Sequence, residues 1–207
     1  MANWAFTEYV IEGPKEVLQK IEQAILVAIG KEEYKGSKPL NAKASDGWEG
    51  NMLIALGIEW EDRKPDGTGI YLRGFIHDEP WYANESHSAL RFCAEEAWGA
   101  TDLDEVLEQN LPVKVFYRVE ESGEGIYATN DKEGKYFTYI FYIDTCIAGD
   151  YESEYFKTKE DAYKWLKKIT NGKVSTPEDI KKFNEEYEEI GADDDNYILF
   201  HEFNIVD

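Results

Sequence analysis

Residues 4–30 read WAFTEYVIEGPKEVLQKIEQAILVAIG, and this stretch decides the fold class of the chain. Residues 4–11 are rich in aromatic and β-branched side chains, which predicts a strand. Gly13-Pro14 ends that strand, because proline suits the first turn of a helix. Apolar residues then recur at helical spacing as far as Gly30, which predicts an amphipathic helix. A strand followed by such a helix implies a sheet that the helix covers.

Further strands are expected along the rest of the chain. Alternating apolar residues predict strands over 113–121 and 126–129, and aromatic residues predict a long one over 136–147. Short turns separate these three segments, as in an antiparallel meander. Residues 51–60 are apolar without a clear period, which predicts a strand or an irregular segment. A last strand is expected over 197–206.

Three helix starts carry the same signal, a threonine followed three residues later by an aspartate. Thr101, Thr158 and Thr176 are the predicted N-cap residues. The chain is therefore expected to be α+β, with helices packed on one face of a largely antiparallel sheet. We expect an α+β domain over residues 1–148. A helix-rich βααβ-like extension over residues 149–207 is expected to pack on the same core.

The composition excludes several classes of protein. The 207 residues include 43 Asp and Glu against 22 Lys and Arg, a formal net charge of −21. Binding to nucleic-acid backbones and to anionic membranes both depend on cationic side chains, so neither is expected. The first residues show neither a cationic start nor an apolar run, so we expect a cytoplasmic protein. Cys93 and Cys146 are predicted to be two buried thiols and not a disulfide.

The sequence provides no catalytic, cofactor-binding or metal-binding constellation. The histidines His77, His87 and His201 are widely spaced. Residues 123–128 match the G-x-G-x-x-A pattern of dinucleotide-binding proteins. No helix is predicted after them, so we do not expect them to bind a dinucleotide. Residues 193–195 are consecutive aspartates and lack the alternating ligands of a calcium loop.

Acidic and aromatic residues offer a candidate interaction surface. No Lys or Arg follows Lys182, whereas glutamates and aspartates are frequent there. An acidic surface with exposed tryptophans suits a non-enzymatic protein that binds a basic protein partner. The candidate surface residues are Trp48, Trp60, Trp81, Trp98, Glu185, Glu186, Glu188 and Glu189.

Other interpretations of the same residues stay open. The acidic residues also fit a solvated face that serves solubility, or a mimic of a nucleic-acid backbone. The tryptophans also fit the filling of a core. A small-ligand-binding protein or an enzyme would instead need a deep pocket that contains a carboxylate or histidine with a shifted pKa. A structural module would associate through a sheet edge or through the Trp-rich segment.

The opening residues 1–4 are followed by a strand, Gly13-Pro14 and a helix. This order resembles the start of the YubB-type domain of phage- and plasmid-borne proteins. Residues 56–62 resemble its W-G-T-K-W-D-like segment, residues 92–101 its T-x-W-x-P-P segment and residues 113–125 its next strand and turn. The likeness covers about residues 1–145 and implies a ferredoxin-like α+β fold in a bacterial or mobile-element protein. It implies no reaction and no cofactor.

Overall fold

A computed structural model describes residues 3–41, 46–190 and 196–206, with the side chains of residues 187–190 outside the description. Five helices and ten strands are present in these ranges. The helices are α1 Lys15–Ala28, α2 Glu49–Leu56, α3 Leu103–Asn110, α4 Lys159–Ile169 and α5 Pro177–Ile190. The strands are β1 Trp4–Glu12, β2 Gly74–Ile76, β3 Trp81–Tyr82, β4 Ala89–Ala97, β5 Lys114–Glu121, β6 Ile126–Thr129, β7 Phe141–Ile147, β8 Asp150–Phe156, β9 Tyr197–Glu202 and β10 Asn204–Ile205. The chain is α+β, as the sequence predicts.

The chain divides into two compact units, residues 1–131 with 206–207, and residues 132–205. The sequence predicts a boundary after residue 148 instead. The difference arises at β7, which pairs with β8 and β9 of the second unit. The sequence predicts that the strand over 136–147 continues the antiparallel meander from residues 126–129. That expectation is wrong, because β7 does not pair with β6.

The first unit is built on an antiparallel sheet with β1 at its centre. Its strands run in the order β6-β5-β1-β4-β2, and β3 also pairs with β4. Glu12 lies opposite Ala89 on β4 and Lys114 on β5, so β1 is paired on both sides. The prediction of a strand followed by a helix over residues 4–30 is confirmed by β1 and α1.

One face of this sheet packs against helices and forms the core. Alternate residues of β1 from Ala5 to Ile11 are fully buried on this inner face. The core contains residues of α1, α2 and α3 together with residues of β1, β4 and β5. Two such sets are Leu18, Ile21 and Ile25 from α1, and Tyr9, Phe92 and Val115 from the sheet.

Helix α2 lies where the sequence predicts a strand or an irregular segment. All six residues from Glu49 to Ile54 are buried, so the segment lacks the apolar period of a helix with one exposed face. Gly57, with a φ of 74°, ends the helix in the left-handed conformation. Periodicity therefore does not reveal this short helix, because its first six residues are all buried.

Thr101 does not cap α3. Asp102 occupies the N-cap position and makes no side-chain cap bond, whereas the Thr101 hydroxyl turns into the core. The other two predicted caps form. The Thr158 hydroxyl accepts from the Asp161 N–H at 3.1 Å, and that of Thr176 accepts from the Asp179 N–H at 3.2 Å.

The second unit places α4 and α5 beside a three-stranded antiparallel sheet of order β8-β7-β9. Its core is a separate cluster that both helices share with β7 and β9: Ile143, Ala162, Leu166, Val174, Phe183 and Ile198. The strand β8 takes the place of the first strand in the expected βααβ-like extension, but it is almost entirely exposed, so no hydrophobic pattern marks its position. Within residues 3–41, 46–190 and 196–206, no helix combines the length and apolar character needed to cross a bilayer.

Candidate functional site

Three aromatic side chains and one carboxylate share the outer face of the first sheet. Trp4 and Phe6 lie two residues apart on β1 and therefore point to the same side. Phe6 lies opposite Glu95 on β4, and Glu95 lies opposite Phe75 on β2. The Trp4 and Phe75 ring centroids are 5.8 Å apart. We call Trp4, Phe6, Phe75 and Glu95 the outer-face cluster.

The outer-face cluster is accessible to solvent. Trp4 is 48% exposed and Phe6 is 46% exposed, although both belong to the central strand of a sheet. The Glu95 side chain is 56% exposed and its Oε2 lies 3.3 Å from Nε2 of His77. Large aromatic residues in a central strand are normally covered, so their exposure here identifies this face as a candidate for recognition.

Charged residues beside the cluster are paired with one another. Glu8 forms ion pairs with Arg91 and, at 3.5 Å, with Arg118, and Arg118 lies 3.2 Å from Glu120. The two arginines are thus engaged by carboxylates of the same sheet. This arrangement is unlike a nucleic-acid-binding sheet, which directs cationic groups toward phosphates.

The opposite, inner face holds a second polar group that the sequence does not reveal. Thr7, Tyr9, Glu49, Glu96 and Thr101 are buried side by side, and both carboxyl groups are fully buried. Thr7 and Tyr9 each donate a hydrogen bond to Glu96, at 2.5 Å, while the Thr101 hydroxyl lies 3.1 Å from Glu49 Oε2 and 3.0 Å from Glu96 Oε1. We call these five residues the buried carboxyl cluster.

Burial perturbs the acid–base properties of this cluster. The pKa of Glu49 is raised well above its usual value by loss of hydration, with the nearby charge of Glu96 as the next cause. The pKa of Tyr9 is raised well above its usual value, by burial first and then by Glu96 and Glu49. Both shifts favour the neutral forms of Glu49 and Tyr9.

Grooves on the described surface lie elsewhere. One of about 520 Å³ is lined by α1, residues 32–36 and the end of α2, and one of about 190 Å³ lies beside Trp48 and Trp60. In the second unit, a groove of about 430 Å³ is lined by α4, α5 and β9. Glu49 lines none of these grooves. These three grooves and the buried carboxyl cluster are therefore in different places.

The four predicted tryptophans do not form one surface. Trp48 and Trp60 contact each other edge to face, with ring centroids 6.0 Å apart, and are half-buried. Trp81 is 42% exposed and lies opposite Arg91, whereas Trp98, which is 51% exposed, follows the other end of β4. At about 3.3 Å per residue, roughly 23 Å of strand separates these two positions.

Trp98 also has an unusual backbone conformation. Its φ is 69°, in the left-handed region that a bulky side chain rarely adopts. Its N–H donates to the carbonyl oxygen of Asn3 at 2.9 Å, which ties it to the residue before Trp4.

The predicted acidic residues belong to α5 in the second unit. Glu185 and Glu186 are exposed. The side chains of Glu188 and Glu189, and all of residues 193–195, lie outside the described part of the chain. Among the described residues, no group of three or more His, Cys, Asp and Glu side chains is arranged to hold a metal ion.

The two cysteines are free thiols in different units. Cys146 is buried as predicted, and Cys93 is half-buried. Burial, followed by the charges of Glu8 and Asp78, raises the pKa of Cys93 to about 11. The thiol is therefore protonated at neutral pH and is a weak nucleophile.

The sequence contains a signal for Trp4 and Phe6, but it is incomplete. Both sets of alternate residues in β1 include large apolar side chains. A single layer of helices covers one face of a sheet, and periodicity cannot tell which set of residues that face carries.

Comparisons with known proteins found no matching family model, no similar curated protein and no similar solved structure.

Proposed function

We propose that this protein is non-enzymatic and acts by binding a basic protein through the outer-face cluster. The observation that carries the proposal is the exposure of Trp4 and Phe6 beside the Glu95 carboxylate on a central strand. Half-exposed aromatic rings gain free energy when a partner covers them, at about 25 cal/mol per Å² of apolar surface. A cation placed over an aromatic ring adds about 0.5–2 kcal/mol, and an adjacent carboxylate pairs with it.

The net charge supports a basic partner. At −21, the protein attracts cations over a long range, and such steering accelerates association with an oppositely charged surface. The same charge opposes the approach of a phosphate backbone. Lysine or arginine side chains of the partner would lie against the aromatic rings and near Glu95.

We further propose that the first unit is ferredoxin-like. The chain order β1-α1-β2-β4-α3-β5 and the spatial order β5-β1-β4-β2 support this assignment, with α2 and β3 as insertions. The proposed relation to YubB-type proteins, and with it a bacterial or mobile-element origin and a cytoplasmic location, rests on the sequence motifs described above.

The binding proposal is tested with matched aromatic variants. The tagged protein, the double variant Trp4→Ala/Phe6→Ala and the control Trp81→Ala are each used to capture proteins from a bacterial lysate at low and at moderate salt. Trp81 is a suitable control because it is about equally exposed on the same sheet, but it lies opposite Arg91, roughly 13 Å along β4 from Glu95. We expect a basic protein that Trp81→Ala retains, that the double variant loses and that moderate salt releases.

A defined probe provides the second half of the test. A lysine- and arginine-containing peptide is titrated into the protein, and the NMR signal of the Trp4 indole N–H is followed. We expect this signal to shift with the basic peptide and to stay unchanged with an acidic peptide of equal length. Equal capture by the double variant and the wild type, or a Trp4 signal that no basic peptide moves, contradicts the proposal.

A further inference from the structure

The buried carboxyl cluster is fully inside the first unit, so its chemistry concerns the fold and not a substrate. Glu49 is the first residue of α2, and Glu96 lies on β4, which pairs with the central strand. The titratable groups that act on Glu49 are Glu96 from β4 and, in the same cluster, Tyr9 from β1. The α1 residues of the surrounding core are apolar: Leu18, Ile21, Ala24, Ile25 and Ala28.

The hydrogen bonds of the cluster require a proton on one of the carboxyl groups. The Thr101 hydroxyl lies within hydrogen-bond distance of Glu49 Oε2 and of Glu96 Oε1. A hydroxyl carries one hydrogen, so it donates to one of these oxygens and must accept from the other. Only a protonated carboxyl group can donate to it. Two ionised carboxylates would leave one of these contacts as a repulsion between lone pairs.

The distribution of donors shows which carboxyl group carries the proton. Glu96 accepts from Thr7 at Oε2 and from Tyr9 at Oε1, so it is stabilised as the anion. Glu49 has fewer donors: the backbone of Gly74 is the last and smallest of the influences on its pKa, and its Oε1 has no partner of good hydrogen-bond geometry among the described residues. An unpartnered oxygen is far less costly on a neutral acid than on a carboxylate. With a proton on Glu49, the Thr101 hydroxyl accepts from Glu49 and donates to Glu96.

We propose that Glu49 and Glu96 hold a single proton between them at neutral pH, carried by Glu49, and that this proton is a pH-sensitive switch for the docking of α2. Loss of the proton places two negative charges in a dry core, and the start of α2 is the element that can move out. The raised pKa of Glu49 agrees with this assignment.

The sign of the pH dependence follows from the two states. The unfolded chain releases the Glu49 proton at the ordinary glutamic acid pKa, about 4.3, whereas the folded chain retains it to a higher pH. Between these values unfolding releases a proton, so stability decreases as pH rises. The contribution is fully present below the unfolded pKa and is lost as pH rises through the folded pKa. The unfolding constant grows by up to tenfold per pH unit in this window.

The test compares Glu49→Gln, Glu96→Gln and the control Glu85→Gln by denaturant unfolding from pH 5 to pH 9. The amide introduced by Glu49→Gln keeps a donor for Thr101 without titrating, so we expect this variant to gain stability over the wild type progressively as pH rises. Glu96→Gln is expected to lose stability at every pH, because its side chain has one acceptor oxygen for several donors. Glu85 is exposed between β3 and β4, so Glu85→Gln is expected to follow the wild type.

Two further measurements locate the proton and the moving element. Infrared spectroscopy at pH 7–8 should show the band of a protonated carboxyl group in the wild type and not in Glu49→Gln. Hydrogen exchange at pH 9 should be faster over residues 49–56 in the wild type than in Glu49→Gln.

Three results overturn the proposal. They are a stability difference between wild type and Glu49→Gln that does not change with pH, a band that persists in Glu49→Gln, and equal exchange over residues 49–56. If the variant does not fold, an infrared titration of the wild type decides the matter. Complete ionisation at the ordinary glutamic acid pKa then refutes the proposal.

Discussion

At the scale of single residues, burial determines the chemistry more than residue type does. Thr101 matches a helix-capping pattern, but its hydroxyl serves two buried carboxyl groups. Position 74 must be a glycine because its backbone lies against a buried carboxyl group. A Cβ at this position would lie 2.2 Å from Glu49 Oε1, so the backbone must approach the carboxyl group without a side chain.

Cys93 provides a residue-scale prediction. Because burial raises the pKa of its thiol to about 11, its alkylation by iodoacetamide should accelerate about tenfold per pH unit without levelling off below that value. The rate is measured by mass spectrometry between pH 7 and pH 10. Cys93→Ala is the control, since Cys146 is fully buried and should not react in the folded protein. A rate that levels off near pH 8.5, about the ordinary thiol pKa, contradicts the expectation.

At the scale of elements, a helix side chain forms hydrogen bonds with backbone groups of a neighbouring strand. In the second unit, the Asn184 side chain on α5 donates to the Ile198 carbonyl oxygen at 2.9 Å and accepts from the Ile198 N–H at 2.9 Å. A helix side chain thus occupies both polar groups of one β9 residue, as a neighbouring strand would.

Asn184→Ala should therefore destabilise the second unit. Two lost hydrogen bonds of about 1 kcal/mol each imply a decrease of roughly 2 kcal/mol in the free energy of unfolding. Hydrogen exchange of the Ile198 amide in the variant should accelerate correspondingly. Lys181→Ala, an exposed change on the same helix, is the control. Equal stability of the two variants would mean that the Asn184 bonds contribute nothing.

At the scale of the whole molecule, self-repulsion opposes folding. A net charge of −21 on 207 residues favours the expanded chain, and salt screens this repulsion with a Debye length of about 8 Å at 0.15 M. The melting temperature should therefore rise as sodium chloride is added up to about this concentration. The double variant Glu185→Gln/Glu186→Gln should show a smaller rise, because it removes two exposed charges. A melting temperature that falls with salt contradicts this account.

Salt thus has opposite effects on folding and on binding. The same ions that stabilise the folded chain should weaken its complex with a basic partner. Loss of the complex at moderate salt therefore cannot be attributed to unfolding. Measuring the melting temperature and the binding of the partner in one salt series separates the effect of salt on recognition from its effect on stability.

Local pattern predicts much of the fold, and three features show where it fails. The sequence predicts β1 from its aromatic and β-branched residues, and it predicts α1 from apolar residues that form a single stripe along the helix. It misses α2, whose first six residues are all buried, and no hydrophobic pattern marks the position of β8, most of whose residues are exposed. The outer-face and buried carboxyl clusters depend on register across strands distant in sequence, which no local pattern contains. Glu49 and Glu96 are 47 positions apart and meet only because α2 packs against β2, the strand beside β4.

The alternation of side chains along β1 has a practical consequence for protein engineering. Ala5, Thr7, Tyr9 and Ile11 maintain the interior, while Trp4 and Phe6 occupy the outer face. Positions 4, 6, 75 and 95 can therefore be randomised together in a display library while the residues that hold the interior stay constant. Such a library would turn the sheet into a scaffold for new binders, and the amino acids selected at position 95 would report directly on the charge of each target.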